Sequence, residues 1–181
     1  RKDVKQKYNL NSQINRMCIL DCIAQYRSYD PEKGNILFMG DPLVGKSSII
    51  NRLTCVNKFN DKYLKTNNIR FVRYNYLTYI DYPGDLSNEN VDPIKLKKNI
   101  ERLRSLKIDL IFIVYDVTNI NSYKSIDKWK QKAYSEFGNN IHIIILGNKS
   151  DYWNIKVFEE HLLISAKENN GIFIEKQHYY I

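Results

Sequence analysis

The sequence predicts an α/β fold, a mostly parallel six-stranded sheet with one antiparallel strand and helices on both faces. Three observations carry the prediction. From Asn35 onward the chain alternates an apolar strand, a polar or glycine-bearing turn and a helical pattern, the order that builds parallel βαβ units. Four of the apolar segments are near-continuous runs, as strands covered on both faces require. The first strand also runs directly into a glycine-flanked loop and a helix, which gathers backbone N–H groups at the strand's carboxyl end.

The elements follow in order. Residues 1–33 read as an appended basic segment carrying a helix. Ser12 serves as its N-cap, Ile14, Met17, Cys18 and Leu20 to Ala24 form a mixed apolar pattern, and Asp30-Pro31 with Gly34 closes it. Residues 34–181 then form one domain. Strands are expected at 35–39, 69–74, 77–80, 110–115, 141–146 and 162–164, and helices at 46–54, 93–106 and 122–137. Asp92 and Pro93 are the N-cap and first position of the second of these helices. Its Leu96, Ile100, Leu103 and Leu106 form one buried stripe. The short gap after Tyr74 calls for a tight hairpin near Asn75, which supplies the antiparallel pair.

Bulk properties narrow the function. A chain of 181 residues is one domain with one site, and its apolar residues occur in runs too short to cross a bilayer. The formal charge of +8 accompanies 14 Tyr and many Asn, a bias that AT-rich coding produces, so no specific nucleic-acid binding is expected. Peripheral attraction to an anionic membrane stays open. Cys18, Cys22 and Cys55 are odd in number and form no paired CxxC, which argues against a disulfide framework or a zinc site and for a reducing, cytoplasmic compartment. Cys18 and Cys22 share one helical face, open to acylation or to burial in a core.

The string GDPLVGKS, Gly40 to Ser47, fits G-x-x-x-x-G-K-[ST] and stands between a strand and a helix. Such a loop aims backbone N–H groups at the α- and β-phosphates of a nucleotide, with the positive end of the helix dipole behind them. Asp41, Pro42, Leu43, Val44, Gly45, Lys46, Ser47 and Ser48 therefore line the phosphates. Lys46 reaches the β/γ oxygens and the Ser47 hydroxyl ligates Mg²⁺.

Further along, ILGNKSD ends the fifth strand. The Asp151 carboxylate can accept two hydrogen bonds from the N1–H and N2–H₂ edge of guanine, a donor pair adenine lacks. NKSD resembles the N-K-x-D motif of the Ras superfamily, and LLISAKENN resembles that family's S-A-K. The resemblance implies a P-loop NTPase of the G-domain type that binds GTP or GDP. It also implies that Asn148 contacts N7 and ties the loop to the phosphate loop, that the Lys149 stem lies along the purine, and that the Ala166 N–H, between Ser165 and Lys167, donates to O6.

The same resemblance covers the switches. VNKFNDKYLKTNN has the Phe-x3-Tyr-x2-Thr spacing of Ras and Rab proteins. Phe59 then flanks the base, Tyr63 closes over the phosphates, and Thr66 gives its hydroxyl to Mg²⁺ and its N–H to the γ-phosphate. IDYPG supplies D-x-x-G, in which Asp81 holds a Mg²⁺-bound water and the Gly84 N–H contacts the γ-phosphate. The metal set is thus Ser47, Thr66 and Asp81, and the catalytic set Lys46, Thr66, Gly84 and Asp85. Loss of one phosphate would free both loops.

Several positions depart from the family. Asp85 stands where Ras-like proteins commonly place the Gln that orients the attacking water. A carboxylate cannot donate as an amide does, and it adds negative charge beside a phosphoryl group. Pro42 and Leu43 put bulk where an arginine finger would enter. Slow hydrolysis is therefore expected. Asn67-Asn68 replace the residues that usually follow the threonine, residues 152–164 leave room for only a compressed fourth helix, and 168–181 for a stub of the last. No cysteine lies near Ile181 for prenylation, though a chain that had lost a lipidated tail would look the same.

VYDVTNINSYKSIDKWK looks Rab-like and reads mainly as scaffold. The resemblance implies protein effectors, an exchange factor and an activating protein, in trafficking or signalling. A non-hydrolysing, GTP-bound adaptor that uses the domain as a docking platform is the alternative. A P-loop kinase conflicts with NKSD.

Overall fold

A computed structural model of the chain describes residues 19–26, 34–54, 66–86, 92–151 and 162–168. In chain order these form α1 (Ile19–Tyr26), β1 (Gly34–Met39), α2 (Lys46–Leu53), β2 (Arg70–Tyr74), β3 (Leu77–Asp81), α3 (Pro93–Ser105), β4 (Leu110–Asp116), α4 (Ile120–Lys124), α5 (Ile126–Phe137), β5 (His142–Asn148) and β6 (Leu162–Leu163). The six strands make one sheet in the order β2-β3-β1-β4-β5-β6. Every neighbouring pair is parallel except β2 with β3. This is the architecture the apolar runs predict.

Alternation along the strands divides the interior into two cores. Ile36, Phe38, Leu110, Phe112 and Val114 face one side, where they bury Ile19, Cys22 and Ile23 of α1 and Ile49, Ile50 and Leu53 of α2. Leu37, Met39, Ile111, Ile113 and Tyr115 face the other, against Leu103 of α3 and Ile126, Trp129 and Ala133 of α5. Phe38 and Phe112 lie on adjacent strands with ring centroids 5.0 Å apart. Cys22 is fully buried in the first core, which overturns the acylation reading for that residue; Cys18 lies outside the described residues.

Several boundaries differ from expectation for local reasons. β5 begins at His142 and continues to Asn148, because its ladder with β4 persists to the pair Asp116 and Asn148. The helix expected at 122–137 divides at Ser125. Asn119 Oδ1 caps α4 by accepting from Asn121 N–H, and Ser122 Oγ accepts the Asp116 N–H at 3.0 Å, which ties α4 to the end of β4. α5 is drawn separately over the sheet by Ile126, Trp129 and Ala133. On α3, Asp92 and Pro93 occupy their expected positions, but only Leu103 of the stripe is fully buried; Leu96, Ile100 and Leu106 are half-buried.

Tyr74 pairs with Leu77 across a two-residue turn, and Asn75 takes the left-handed conformation at φ 53°, which Asn tolerates better than most residues. β2 is the sheet edge, with Arg70 and Arg73 exposed. Charged residues at an edge discourage pairing with another chain. Among the described residues no helix is long and apolar enough to cross a membrane.

Candidate nucleotide site

The motifs converge at the carboxyl ends of the parallel strands, where open α/β sheets place ligands. β1 ends at Met39 and the loop begins at Gly40, with Leu43 in the left-handed region and Gly45 at φ 96° as the residue preceding α2. A Cβ at Gly45 would run into the Asn148 amide, so only glycine lets the loop and the NKSD strand end approach this closely. Among the described residues no side chain caps α2, which leaves its first-turn N–H groups facing the loop. Pro42 and Leu43 are exposed.

Lys46 is buried and donates to Gly40 O at 2.9 Å and Asp41 O at 2.8 Å. Burial lowers its pKa to about 8, against the opposing pull of Asp81 and Asp41. Next to it, Ser47 Oγ donates to Asp81 Oδ2 at 2.6 Å and lies 3.0 Å from Thr66 Oγ1. Asp81 is fully buried, and among the described residues its Oδ1 has no hydrogen-bond partner. Burial raises the Asp81 pKa; the Ser47 hydrogen bond, Lys46 and Arg70 oppose the shift.

Two hydroxyls and a carboxylate with an open oxygen form a hard-oxygen donor set, the kind Mg²⁺ takes together with phosphate oxygens. The residues present fit that ion. Gly84 packs so tightly on the phosphate loop that a Cβ would meet the Asp41 and Pro42 backbone. Asp85 follows it, half-buried.

At the other end, Asn148 Nδ2 donates to Val44 O at 2.8 Å, and Asn148 Oδ1 accepts from the Ala166 N–H at 3.1 Å. The N–H that the family resemblance assigns to guanine O6 is thus engaged by Asn148. Ser165 Oγ donates to Asp151 Oδ1 at 2.6 Å and accepts from the Glu168 N–H at 3.1 Å. Lys149, at φ 68°, donates to Asp116 Oδ2 at 2.6 Å. The structure therefore brings Asp41 to Ser48, Thr66, Asp81, Gly84, Asn148, Lys149, Asp151 and Ser165 to Lys167 to the end of the sheet where the parallel strands finish. Phe59 and Tyr63 lie outside the described residues.

Sequence reasoning passes over four contributors. Asp116, read as scaffold, anchors Lys149 and is itself held by the N–H and hydroxyl of Thr118. Trp129, also read as scaffold, donates from Nε1 to Asp41 Oδ1 at 2.8 Å. Arg52 of α2 donates to Ala166 O and Lys167 O, fixing the SAK turn to the helix behind the phosphate loop. Asn99 of α3 donates to Asn68 Oδ1 and Ile69 O, joining the segment after Thr66 to the helix after D-x-x-G. A conspicuous signal existed only for Trp129, one of 2 Trp in the chain.

Comparison with known proteins agrees with this layout. A family model described as 50S ribosome-binding GTPase matches residues 35–149. The Ras-related protein Rab-21 of Mus musculus is 28% identical over 154 residues, covering 80% of this chain and 63% of its own length. The Rattus norvegicus protein is 28% identical with 80% and 62% covered, and the Homo sapiens protein 27% with 80% and 62%. The chain thus spans less than two thirds of the length of these relatives. With the phosphate loop, D-x-x-G and NKSD in order on this sheet, the chain belongs to that P-loop GTPase family, as a divergent Rab-like member of the Ras superfamily.

Proposed function

We propose that the chain is a guanine-nucleotide-binding switch with a slow hydrolytic step, acting through protein effectors in vesicle trafficking or signalling. The observation that carries this reading is the Asn148 carboxamide, which joins Val44 of the phosphate loop to Ala166 of the SAK turn. It holds a phosphate cradle and a base-reading carboxylate in one rigid frame.

In this reading the loop N–H groups from Asp41 to Ser48 bind the α- and β-phosphates, and the Lys46 ammonium turns to the β/γ oxygens. Asp151 accepts from guanine N1–H and N2–H₂, with Ser165 holding the carboxylate in place. The Lys149 stem lies along the purine, its ammonium anchored by Asp116; Phe59 flanks the base and Tyr63 covers the phosphates. Ala166 and Lys167 close the base pocket, and the Ala166 N–H reaches O6 once Asn148 yields it. Ser47, Thr66 and Asp81 would hold Mg²⁺, whose charge neutralises the phosphate oxygens. Thr66 and Gly84 N–H groups sense the γ-phosphate.

Asp85 is the ground for slow hydrolysis: it supplies neither the donor nor the neutral charge that an attacking water needs beside a phosphoryl group. Residues 34–181 form the nucleotide domain and 1–33 precede it, with α1 serving as part of the packed body. Asp85 also favours a second reading, a GTP-bound docking platform without turnover. Denaturing the purified protein and identifying the released nucleotide tests the base reading: guanine nucleotide is expected, and ATP or nothing overturns it. Single-turnover hydrolysis of loaded GTP then separates the readings. Slow conversion supports the switch, none supports the platform, and a rate typical of activated Ras-like domains contradicts the role given to Asp85.

A further inference from the structure

Arg70 opens β2 and is paired in register with Asp81, the last residue of β3, so both side chains emerge on one face of the antiparallel pair. Its Nη2 stands 3.4 Å from Asp81 Oδ2 and 3.2 Å from Asn51 Oδ1 of α2. The Arg70 side chain is 42% exposed, whereas Asp81 is sealed from solvent. Oδ2 of Asp81 therefore faces the guanidinium as well as the Ser47 hydroxyl, and among the described residues Oδ1 has no hydrogen-bond partner.

We propose that Arg70 is a built-in counter-ion to Asp81 that competes with the divalent cation for this carboxylate and so weakens the chain's hold on Mg²⁺. The inference rests on the reading of Ser47, Thr66 and Asp81 as the cation set. A dication entering that set meets a fixed positive charge already beside its carboxylate. Binding must either displace Arg70 into solvent, which its exposure permits, or proceed against like-charge repulsion. Each route lowers affinity. Because the rival charge is half in water, the effect is moderate and screened by salt. Arg70 does not itself touch the metal here; it acts on the metal's affinity through Asp81.

The test is a Mn²⁺ titration, followed by electron paramagnetic resonance, of the GDP-loaded full chain and of Arg70→Gln and Arg70→Lys. Arg70→Gln is expected to bind Mn²⁺ about three- to tenfold more tightly at low salt, with the gain shrinking as salt rises. Arg70→Lys keeps a positive charge at this place and is expected to stay near the parent. Unchanged or weaker Mn²⁺ binding in Arg70→Gln overturns the proposal and leaves Arg70 a strut between β2 and Asn51. If Arg70→Gln does not fold, the parent decides: in this competition raised KCl lowers its Mn²⁺ affinity less than that of Asn51→Ala, in which Arg70 loses one anchor and swings more freely. Equal or greater salt loss in the parent overturns it. If the chain loads no guanine nucleotide, the reading of its function fails. The same titration of the nucleotide-free variants then decides Arg70 by the same criterion.

Discussion

At the NKSD end, Asn148 commits both halves of its carboxamide to backbone partners, Asp151 and Ser165 hold one another, and Lys149 is paired with Asp116. At the phosphate-loop end, among the described residues, Asp81 Oδ1 is buried without a hydrogen-bond partner, and the buried Lys46 ammonium donates to two carbonyls. One end is a satisfied scaffold. The other holds buried charge that phosphate and a cation would stabilise, since buried charge is costly even where, as at Asp81, a hydroxyl and a partly exposed guanidinium stand beside it. Substitutions at the first end should therefore lower stability with or without nucleotide, and changes at the second should appear mainly in binding.

Asn148→Ala gives the largest effect and the sharpest test of that division. It strips partners from Val44 O and Ala166 N–H, both buried contacts, and removes the link between the two motifs. Leaving buried polar groups unpaired costs about 1–3 kcal/mol each, so denaturant unfolding of the nucleotide-free chain should show a loss of about 2–6 kcal/mol. A variant that loses nucleotide but unfolds like the parent would break the comparison.

The reach of the sequence follows the same division. The phosphate loop, D-x-x-G and NKSD are contiguous strings whose neighbours in sequence are their neighbours in space, and the strands beneath them are long apolar runs. Trp129 reaches Asp41 from 88 residues away, and Arg52 reaches Ala166 across 114, pairings set by how helices lie on the sheet. No local pattern encodes them. The break at Ser125 is equally silent, because apolar periodicity continues on both sides of it. The counter-charge at Arg70 depends on the β2–β3 register, which the hairpin at Asn75 fixes.

The Lys46 ammonium gives a pH signature to the phosphate end. Its pKa is lowered from 10.5 to about 8 in the nucleotide-free chain. Between these values the unfolded state binds the extra proton, so this residue's contribution makes the folded state more stable as pH rises from about 8 toward 10.5. Nucleotide binding runs the opposite way, because polyphosphate favours the charged ammonium. Affinity for a fluorescent GDP analogue should be flat in this respect below about 8 and fall above it, by up to tenfold per pH unit. Subtracting the profile of Lys46→Met isolates the group. An unchanged difference between pH 7.5 and 9 would place the ammonium's ionisation elsewhere.

Trp129→Phe probes the smallest effect, where the two ends meet the scaffold behind them. The indole Nε1–H donates to Asp41 Oδ1, while the rest of the ring packs in the second core and meets Tyr82 edge-on at 6.2 Å. Phe keeps much of the apolar packing and deletes the hydrogen bond, but it also leaves a small gap where the indole's second ring was. The bond is to a charged acceptor that is half-buried and can turn to water, so its own share should be about 1 kcal/mol, with the gap adding a similar amount. Asp41→Asn retains an acceptor and should cost less. Because Asp41 opens the phosphate loop and its carbonyl also receives Lys46, loosening it should raise the release rate of bound GDP in addition to that loss of stability. If release is unchanged and only stability falls, Trp129 belongs to the core alone, and the phosphate end is held in shape by Gly84 and Asn148 without it.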